Sequence, residues 1–194
     1  IYLAHRTEGD VQRRARTTAI GAGLLTLAAF STAGVWLALG DFGYAITSVV
    51  DAGALPNPLA KQVVEQAGAW FANYRKAPLT MAVPALAYAG MVAALLLIAR
   101  GRTLSAFVAS SLAMTGIIGT AGVAMFPFVM PSSTVPGASL TVWDAVSSQR
   151  TLGIMFWATL IFMPVIVLYT SWAYKVMAGK VTTAWIRENE HSAY

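Results

Sequence analysis

The residues that could bind a haem are few in this chain. It has two histidines, His5 and His191, and no cysteine. A haem inside a helical bundle needs a histidine, or a histidine with a methionine, that projects from a helix into the bundle. Met114, Met125 and Met155 lie in apolar runs, where a methionine without a facing histidine is typical of packing. We therefore predict that this chain binds no haem.

The acidic residues that could carry protons or bind metals avoid the apolar runs. A proton or ion path normally contains an ionisable group buried in a span, where its charge is costly without a partner or water. All eight acidic residues fall outside the runs or at their edges: Glu8, Asp10, Asp41, Asp51, Glu65, Asp144, Glu188 and Glu190. Glu188, Glu190 and His191 are candidate metal ligands, but a solvated terminus has the same composition. We predict no metal site and no transport path.

A third candidate site lies in residues 124–145, "AMFPFVMPSSTVPGASLTVWDA". Its prolines predict a helix that kinks and stops, followed by a loop outside the membrane. Trp143 is typical of the membrane interface. Asp144 is suited to cap the next helix, and loss of that cap would lower the free energy of unfolding by about 1 kcal/mol. Arg150 follows about two turns along and within reach of lipid phosphate. The functional alternative is that Trp143, Asp144 and Arg150 contact a partner subunit or a quinone head group.

The elements that position these residues are predicted to be membrane-spanning helices. The 194 residues are 57% hydrophobic and 11% charged, with a mean hydropathy of +0.64, outside the range of soluble domains. Four runs are long enough to cross the hydrocarbon core, and they lack the alternation of barrel strands. They cover about residues 17–39, 79–99, 104–130 and 151–174. We predict an all-α polytopic membrane protein, with these four helices bundled in one domain over residues 1–194.

The basic residues predict how the spans are oriented. Nine lie before the first predicted span, between the second and third, or after the fourth: Arg6, Arg13, Arg14, Arg16, Arg100, Arg102, Lys175, Lys180 and Arg187. The other four, Lys61, Arg75, Lys76 and Arg150, lie in the two longer loops. The positive-inside rule therefore places both ends of the chain in the cytoplasm. Because the charge lies at the ends of spans instead of along one stripe, we expect no nucleic-acid binding.

The first long loop contains apolar residues at helical spacing. Leu59, Val63, Trp70 and Tyr74 recur four or seven residues apart, with Val64, Ala67 and Phe71 beside them. This spacing predicts an amphipathic helix over residues 58–74, lying on the outer membrane surface. The alternative is a lid over a site on a partner subunit.

Small residues predict where helices approach closely. Ser111, Thr115 and Gly119 are spaced by four in the third span, with Gly116 beside them. Gly21, Gly23 and Gly34 suggest a similar contact for the first span.

Several of these stretches resemble subunit II of the cytochrome bd-type quinol oxidases. The most specific is residues 122–157, "GVAMFPFVMPSSTVPGASLTVWDAVSSQRTLGIMFW"; "AGVW", "NPL" with "EQAGAWF", "AVPAL" and the closing "ENEHSAY" agree with it. The resemblance covers essentially all 194 residues but only the C-terminal half of the family's subunit. A start at Ile1 without methionine fits the second half of a longer protein.

The resemblance implies a respiratory terminal oxidase in a bacterial or archaeal plasma membrane. In that family the complex oxidises quinol and reduces oxygen to water. The b- and d-type haems and the quinol-oxidising loop belong to subunit I, and subunit II is a haem-free partner that stabilises the complex. The acids proposed for proton transfer in subunit II lie in its N-terminal half, so none corresponds to a residue of this sequence.

The resemblance also implies that a structural quinone can bind to subunit II. Trp36, Phe126 and Trp157 are candidates to line an apolar groove for its isoprenoid tail, although we predict that they are packing or lipid-facing residues first. The expected partners are therefore the haem-bearing subunit I, membrane lipid and, through the complex, the quinone pool. The alternative from another class is a small polytopic transporter or channel subunit, which the lack of buried ionisable groups disfavours.

Overall fold

Four helices of the structure are long and apolar enough to cross a membrane. The structure, a computed structural model, describes residues 1–49 and 57–176. Within them the candidate spans are Gly9–Leu39, Pro78–Ala99, Thr103–Met125 and Gln149–Val176. The predicted fold class, an all-α polytopic membrane protein, is confirmed. We number the α-helices in chain order as α1 (Tyr2–Arg6), α2 (Gly9–Leu39), α3 (Ala72–Lys76), α4 (Ala82–Ala99), α5 (Thr103–Met125) and α6 (Gln149–Val176).

The most extensive helix contact is between α4 and α5, which form an antiparallel hairpin around a tight turn. Gly101 in this turn has a φ of 79°, a left-handed conformation that favours glycine. The buried face of α4 consists of Ala87, Gly90, Met91, Ala94 and Ile98. It meets Ala106, Ala109, Ala113 and Gly116 of α5. Nearly all of these side chains are small, so the two backbones approach closely.

Two glycines determine how close the two helices come. A Cβ added to Gly116 would lie 2.4 Å from the backbone nitrogen of Ala87, and one added to Gly90 would lie 2.8 Å from that of Ala113. The prediction of a small-residue face on α5 is therefore right for Gly116 and for Gly119, whose added Cβ would lie 2.7 Å from Val83 Cγ1. It is wrong for Ser111 and Thr115, which are exposed and whose hydroxyls donate to carbonyl oxygens of α5 itself.

Helix α2 packs against α4 at two levels. Near its middle, a Cβ on Gly23 would lie 2.7 Å from Leu95, so this glycine admits the leucine side chain. Further along, the ring of Phe30 packs on that of Tyr88. Gly21 and Gly34, predicted to make a similar contact, have nothing within 4 Å in the described part of the chain.

The short helix α1 closes one end of the hairpin. Ala4 of α1 is fully buried with Ile98 and Ala106, and Leu97 packs beside them. The side-chain amide of Gln12 donates to the carbonyl oxygen of Ala4 at 3.1 Å and joins α1 to α2. This end of the molecule therefore has an apolar core of its own.

Helix α6 is the most separate of the four spans. As in α2, none of its residues is buried, but α6, unlike α2, makes no extensive contact with another described helix. Its exposed side chains include Phe156, Trp157, Leu160 and Met163. The predicted bundle is therefore formed by α2, α4 and α5 within the described residues, while α6 has an uncovered apolar surface.

The predicted amphipathic helix over residues 58–74 is wrong. The segment contains a 3₁₀ turn at Pro58–Ala60, a strand at Val63–Glu65, another 3₁₀ turn at Ala69–Phe71 and the start of α3. The strand forms because Val63 and its neighbours pair with residues of the preceding loop, a contact that helical spacing does not reveal.

The third span is shorter than predicted. Helix α5 ends at Met125, and residues 128–130 are a strand instead of the last helical turn. Phe126 has an extended ψ of 133° because a residue before proline is disfavoured in the helical region, and Pro127 follows it.

We expect Gly116→Leu to destabilise the protein, because the side chain would push α4 away from α5. The free energy of unfolding should fall by about 1–3 kcal/mol. The measurement is thermal unfolding of the purified membrane protein in detergent. Gly122→Leu on the same helix is the matched control, since a Cβ there meets nothing within 4 Å. Equal melting temperatures for the two variants would contradict the close approach at Gly116.

Candidate functional site

The two long loops meet in a layer at one end of the spans, which we call the loop layer (residues 40–49, 57–77 and 126–148). It contains two small antiparallel sheets. In the first, β1 (Tyr44–Ile46) pairs with β2 (Val63–Glu65), with Tyr44 opposite Glu65. In the second, β3 (Phe128–Met130) pairs with β4 (Leu140–Thr141), with Phe128 opposite Thr141. The 3₁₀ turn at Pro136–Ala138 packs against β2, so the two loops form one layer.

Helix α3 attaches the loop layer to the end of α5. The side-chain amide of Asn73 donates to the carbonyl oxygens of Val123, at 2.8 Å, and Phe126, at 2.6 Å. Carbonyls at the end of a helix lack partners within it, so Asn73 supplies a cap from another segment. The Tyr74 hydroxyl donates to the carbonyl oxygen of Thr120 at 2.7 Å. Burial raises the pKa of this phenol, which keeps it a protonated donor.

The loop layer contains a buried ion pair between Lys61 and Asp144. Lys61 Nζ lies 2.6 Å from Asp144 Oδ2, and the two side chains are only 3% and 7% exposed. The same carboxylate oxygen accepts bonds from the Thr141 amide at 2.9 Å and the Thr141 hydroxyl at 2.6 Å. Lys61 also donates to the carbonyl oxygen of Pro58 at 2.9 Å. Both charges therefore have several hydrogen-bond partners, as buried charges require.

These contacts decide what Asp144 can do chemically. Burial by itself raises the pKa of its carboxyl, but the hydrogen bonds from Lys61 and Thr141, with the charge of Lys61, outweigh burial, and the net pKa is lowered. A general base works best with a pKa near the operating pH. The pKa of Asp144 is further from that range than that of an ordinary aspartate, and its Oδ2 already accepts from Lys61 and Thr141. The arrangement therefore joins the two loops and is unsuited to proton transfer.

The prediction that Asp144 caps the fourth span is wrong. Helix α6 begins at Gln149, five residues after Asp144, and the carboxylate accepts from Thr141, which precedes it. The restart of the helix involves Ser148 instead, whose hydroxyl accepts a 3.4 Å bond from the Thr151 amide. Arg150 lies in the exposed first turn of α6. Contacts of Trp143, Asp144 or Arg150 with a partner stay a prediction.

The three aromatic residues predicted to line a quinone groove are not brought together. Each is more than half exposed and packs on a different neighbouring ring. Trp36 contacts Phe42, and Trp157 contacts its chain neighbour Phe156. Phe126 contacts Trp143, its ring centroid 6.1 Å away. The ring contacts of the described residues therefore do not join the three side chains, and Phe126 forms a pair with Trp143.

The Phe126–Trp143 pair lies on a crevice of about 640 Å³ in the loop layer. Its other lining residues come from the first long loop and α3, among them Tyr44, Trp70 and Arg75. The rings of Tyr44 and Trp70 pack edge to face, 5.6 Å apart. Two candidates that were inferred separately from sequence, Phe126 and Trp143, thus share one site. The sequence indicated neither the crevice nor its cationic residues.

The opposite end of the described structure is basic. His5 Nδ1 lies 3.0 Å from the hydroxyl of Thr103, the first residue of α5. The Arg16 guanidinium donates to the carbonyl oxygen of Ala99. These contacts place the N-terminal arginines beside Arg100 and Arg102. The described residues contain no group of three or more His, Cys, Asp or Glu side chains that could hold a metal.

The candidate ligands Glu188, Glu190 and His191 lie outside the described residues. Lys61 was missed as a site residue because from sequence it counted only as one of the basic residues of the two longer loops. The available signal was weak: an aspartate and a lysine, one in each long loop, in a chain with few charges.

We expect the stability effects of changing Lys61 and Asp144 to be coupled. Lys61→Met or Asp144→Ala alone leaves a buried charge without its partner, and each should lower the free energy of unfolding by about 3 kcal/mol. The double variant should lose clearly less than the sum. Thermal unfolding of the four proteins gives the coupling energy. The control is Glu65→Ala, an exposed carboxylate expected to cost under about 0.5 kcal/mol. If the double variant lost as much free energy of unfolding as the two single variants together, the ion pair would contribute nothing to stability.

The lowered pKa of Asp144 predicts how its contribution to stability depends on pH. The ionised carboxylate stabilises the fold above the ordinary aspartate pKa, and this contribution is lost as the pH falls through the lower folded pKa. The melting-temperature difference between the wild type and Asp144→Asn should therefore be constant near neutrality and shrink only in strong acid. A difference that disappeared well above the ordinary aspartate pKa would contradict the sign of the shift.

Comparison with known proteins identifies the family of this chain. Residues 1–177 match the family described as cytochrome bd terminal oxidase subunit II. The chain is 50% identical over 196 aligned residues to cytochrome bd-I ubiquinol oxidase subunit 2 of Escherichia coli K12. It is 42% identical over 196 residues to a probable cytochrome oxidase subunit 2 of Haemophilus influenzae. Both alignments cover 100% of this chain and 51% of the relative, so the chain spans about half the length of these curated relatives. The chain therefore belongs to the cytochrome bd terminal oxidase subunit II family.

Proposed function

We propose that this chain is a haem-free structural part of a cytochrome bd-type quinol oxidase. In this proposal it stabilises the haem-bearing subunit I, in which quinol is oxidised and oxygen is reduced to water. The observation that carries the proposal is the family match over residues 1–177, with 50% identity to a ubiquinol oxidase subunit along the whole chain. Haems b and d are assigned to the partner, and this chain carries no catalytic residue.

The composition of the spans supports a structural role. Residues 17–39, 82–99, 103–125 and 151–174 contain no Asp, Glu, Lys, Arg or His. A haem ligand or a proton relay inside the membrane would need one of these, or a methionine paired with a histidine. His5 lies before the first span, where it contacts Thr103. We therefore assign haem binding and proton transfer in the complex to other polypeptide segments.

The apolar surface of the spans supports a role in assembly. No residue of α2 or α6 is buried in the described structure. Leu25 of α2 is 71% exposed and Leu168 of α6 is 70% exposed. Such helices suit contact with lipid or with helices of a partner subunit. We propose that α6, which is the most separate span, forms part of the contact with subunit I.

We also propose that both ends of the chain lie in the cytoplasm of a bacterium or archaeon, with the protein in its plasma membrane. The contacts at His5 and Arg16 place the N-terminal segment beside the Arg100–Arg102 turn. Two arginine-rich segments therefore lie at one end of the spans, as the positive-inside rule requires of the cytoplasmic end. The loop layer would then lie outside.

The alternative, a small transporter or channel subunit, has less support. Transport sites are typically built from interrupted helices that face one another near the membrane midplane. Pro164 lies inside α6, but α6 continues unbroken from Gln149 to Val176. The described spans have no facing pair of interruptions, and the candidate proton-carrying groups lie at their ends.

Deleting the gene for the complete subunit tests the proposal. We expect the membranes to lose the b- and d-type haem absorption of the oxidase and most of its quinol-dependent oxygen uptake, because subunit I is left without its partner. The measurements are reduced-minus-oxidised optical spectra and oxygen consumption with added quinol. Wild-type subunit should restore both signals and should co-purify with a larger haem-bearing polypeptide.

The Asp144→Ala variant separates a structural role from a catalytic one. It should reduce the amount of assembled oxidase but leave the turnover per haem d unchanged. Glu65→Ala, with an exposed carboxylate in the same layer, should change neither quantity. A normal haem d spectrum in the deletion strain would refute the oxidase assignment. Loss of turnover in fully assembled Asp144→Ala oxidase would refute the non-catalytic role.

A further inference from the structure

The crevice in the loop layer combines aromatic walls with positive charge. Its volume is about 640 Å³. The walls include the rings of Tyr44, Trp70, Phe126, Phe128 and Trp143, with Asn73, Arg75 and Lys76 from α3 on the same crevice. The rings support one another, since Trp70 packs edge to face on both Tyr44 and Phe128. The apolar wall is therefore held in place by contacts within the protein.

The two cations of the crevice have no counter-charge in the described structure. Arg75 and Lys76 occupy the last turn of α3 and are exposed. Among the described residues the ion pair recorded at this end of the spans is Lys61 with Asp144, which leaves Arg75 and Lys76 without a carboxylate. The Arg75 guanidinium lies over Gly68, 3.4 Å from where a Cβ would be, and so extends along the crevice wall.

The crevice adjoins the ends of two candidate spans. Lys76 comes two residues before the span Pro78–Ala99, and α5 ends at Met125 beside the lining residues Ala124 and Phe126. The ends of spans, with their flanking aromatic and basic residues, lie at the boundary between hydrocarbon and water. A ligand there can have its charged part at Arg75 and Lys76 and its apolar part against the rings and the adjoining helices.

We propose that this crevice binds the head group of an anionic phospholipid, with the phosphodiester at Arg75 and Lys76. Arginine presents a planar set of donors that matches phosphate oxygens, and the lysine adds a second positive charge. Trp70, Phe126 and Trp143 cover the glycerol and the first methylenes of the acyl chains. A neutral ring compound would leave both cations uncompensated, so the charge of the site favours an anion. The inference does not depend on the proposed oxidase activity.

The test measures lipid binding to the complete, purified membrane protein. Delipidated protein is titrated with short-chain phosphatidylglycerol, and bound lipid is counted by native mass spectrometry. Each basic residue near an anionic head group contributes about 1 kcal/mol, so Arg75→Gln/Lys76→Gln should weaken phosphatidylglycerol binding about 30-fold. Arg100→Gln removes an exposed basic residue at the opposite end of the spans, which does not line the crevice, and this variant should bind phosphatidylglycerol as the wild type does.

Two further arms make the result decisive. The charge-conserving variant Arg75→Lys/Lys76→Arg should keep most of the affinity, which separates the role of charge from a defect in folding. Inorganic phosphate alone should bind at least tenfold more weakly than phosphatidylglycerol, because it lacks the part that contacts the rings. Unchanged lipid binding by the double glutamine variant would overturn the proposal. Equal affinity for inorganic phosphate would overturn the lipid as the occupant.

Discussion

The close contact between the backbones of α4 and α5 determines the positions of most of the other described elements. In hydrocarbon, helices gain little from burying apolar surface against each other, so tight packing of small residues has to hold them together. Gly116 against Ala87 provides this contact. Helix α3 binds the end of α5 through Asn73 and Tyr74, and leads directly into the α4 span. The position of the loop layer is therefore set from within the membrane.

Positive charges at the loop-layer end have two different environments. Lys61 is buried and neutralised by Asp144, so its charge is directed inward and joins two loops. Arg75 and Lys76 are exposed on the rim of an aromatic crevice and are available to an anion from outside the chain. Burial and pairing, more than the number of charges, thus separate a structural lysine from basic residues suited to binding. A count of charges per loop cannot make that distinction.

The spans could be predicted from sequence because length and unbroken hydropathy are sufficient to identify a helix in a membrane. The loop layer could not. Val63 has helical spacing to Trp70, yet it lies in β2 because Ile46 pairs with it, and such pairing overrides local spacing. Asp144 has the local context of a helix cap, but a lysine far away in the chain takes its carboxylate. Phe126 and Trp143 were recognised individually, and only the fold shows that they share a crevice.

The ion pair between Lys61 and Asp144 also has a topological consequence. It closes the chain into a ring that contains α3, α4, α5 and the turn between the two spans. A cut in the peptide chain at the Arg100–Arg102 turn would leave two fragments that are still fastened to each other at the opposite end of the hairpin. This noncovalent bond links the two loops in the folded state only, whereas a disulfide, which a chain without cysteine cannot form, would also constrain the unfolded chain.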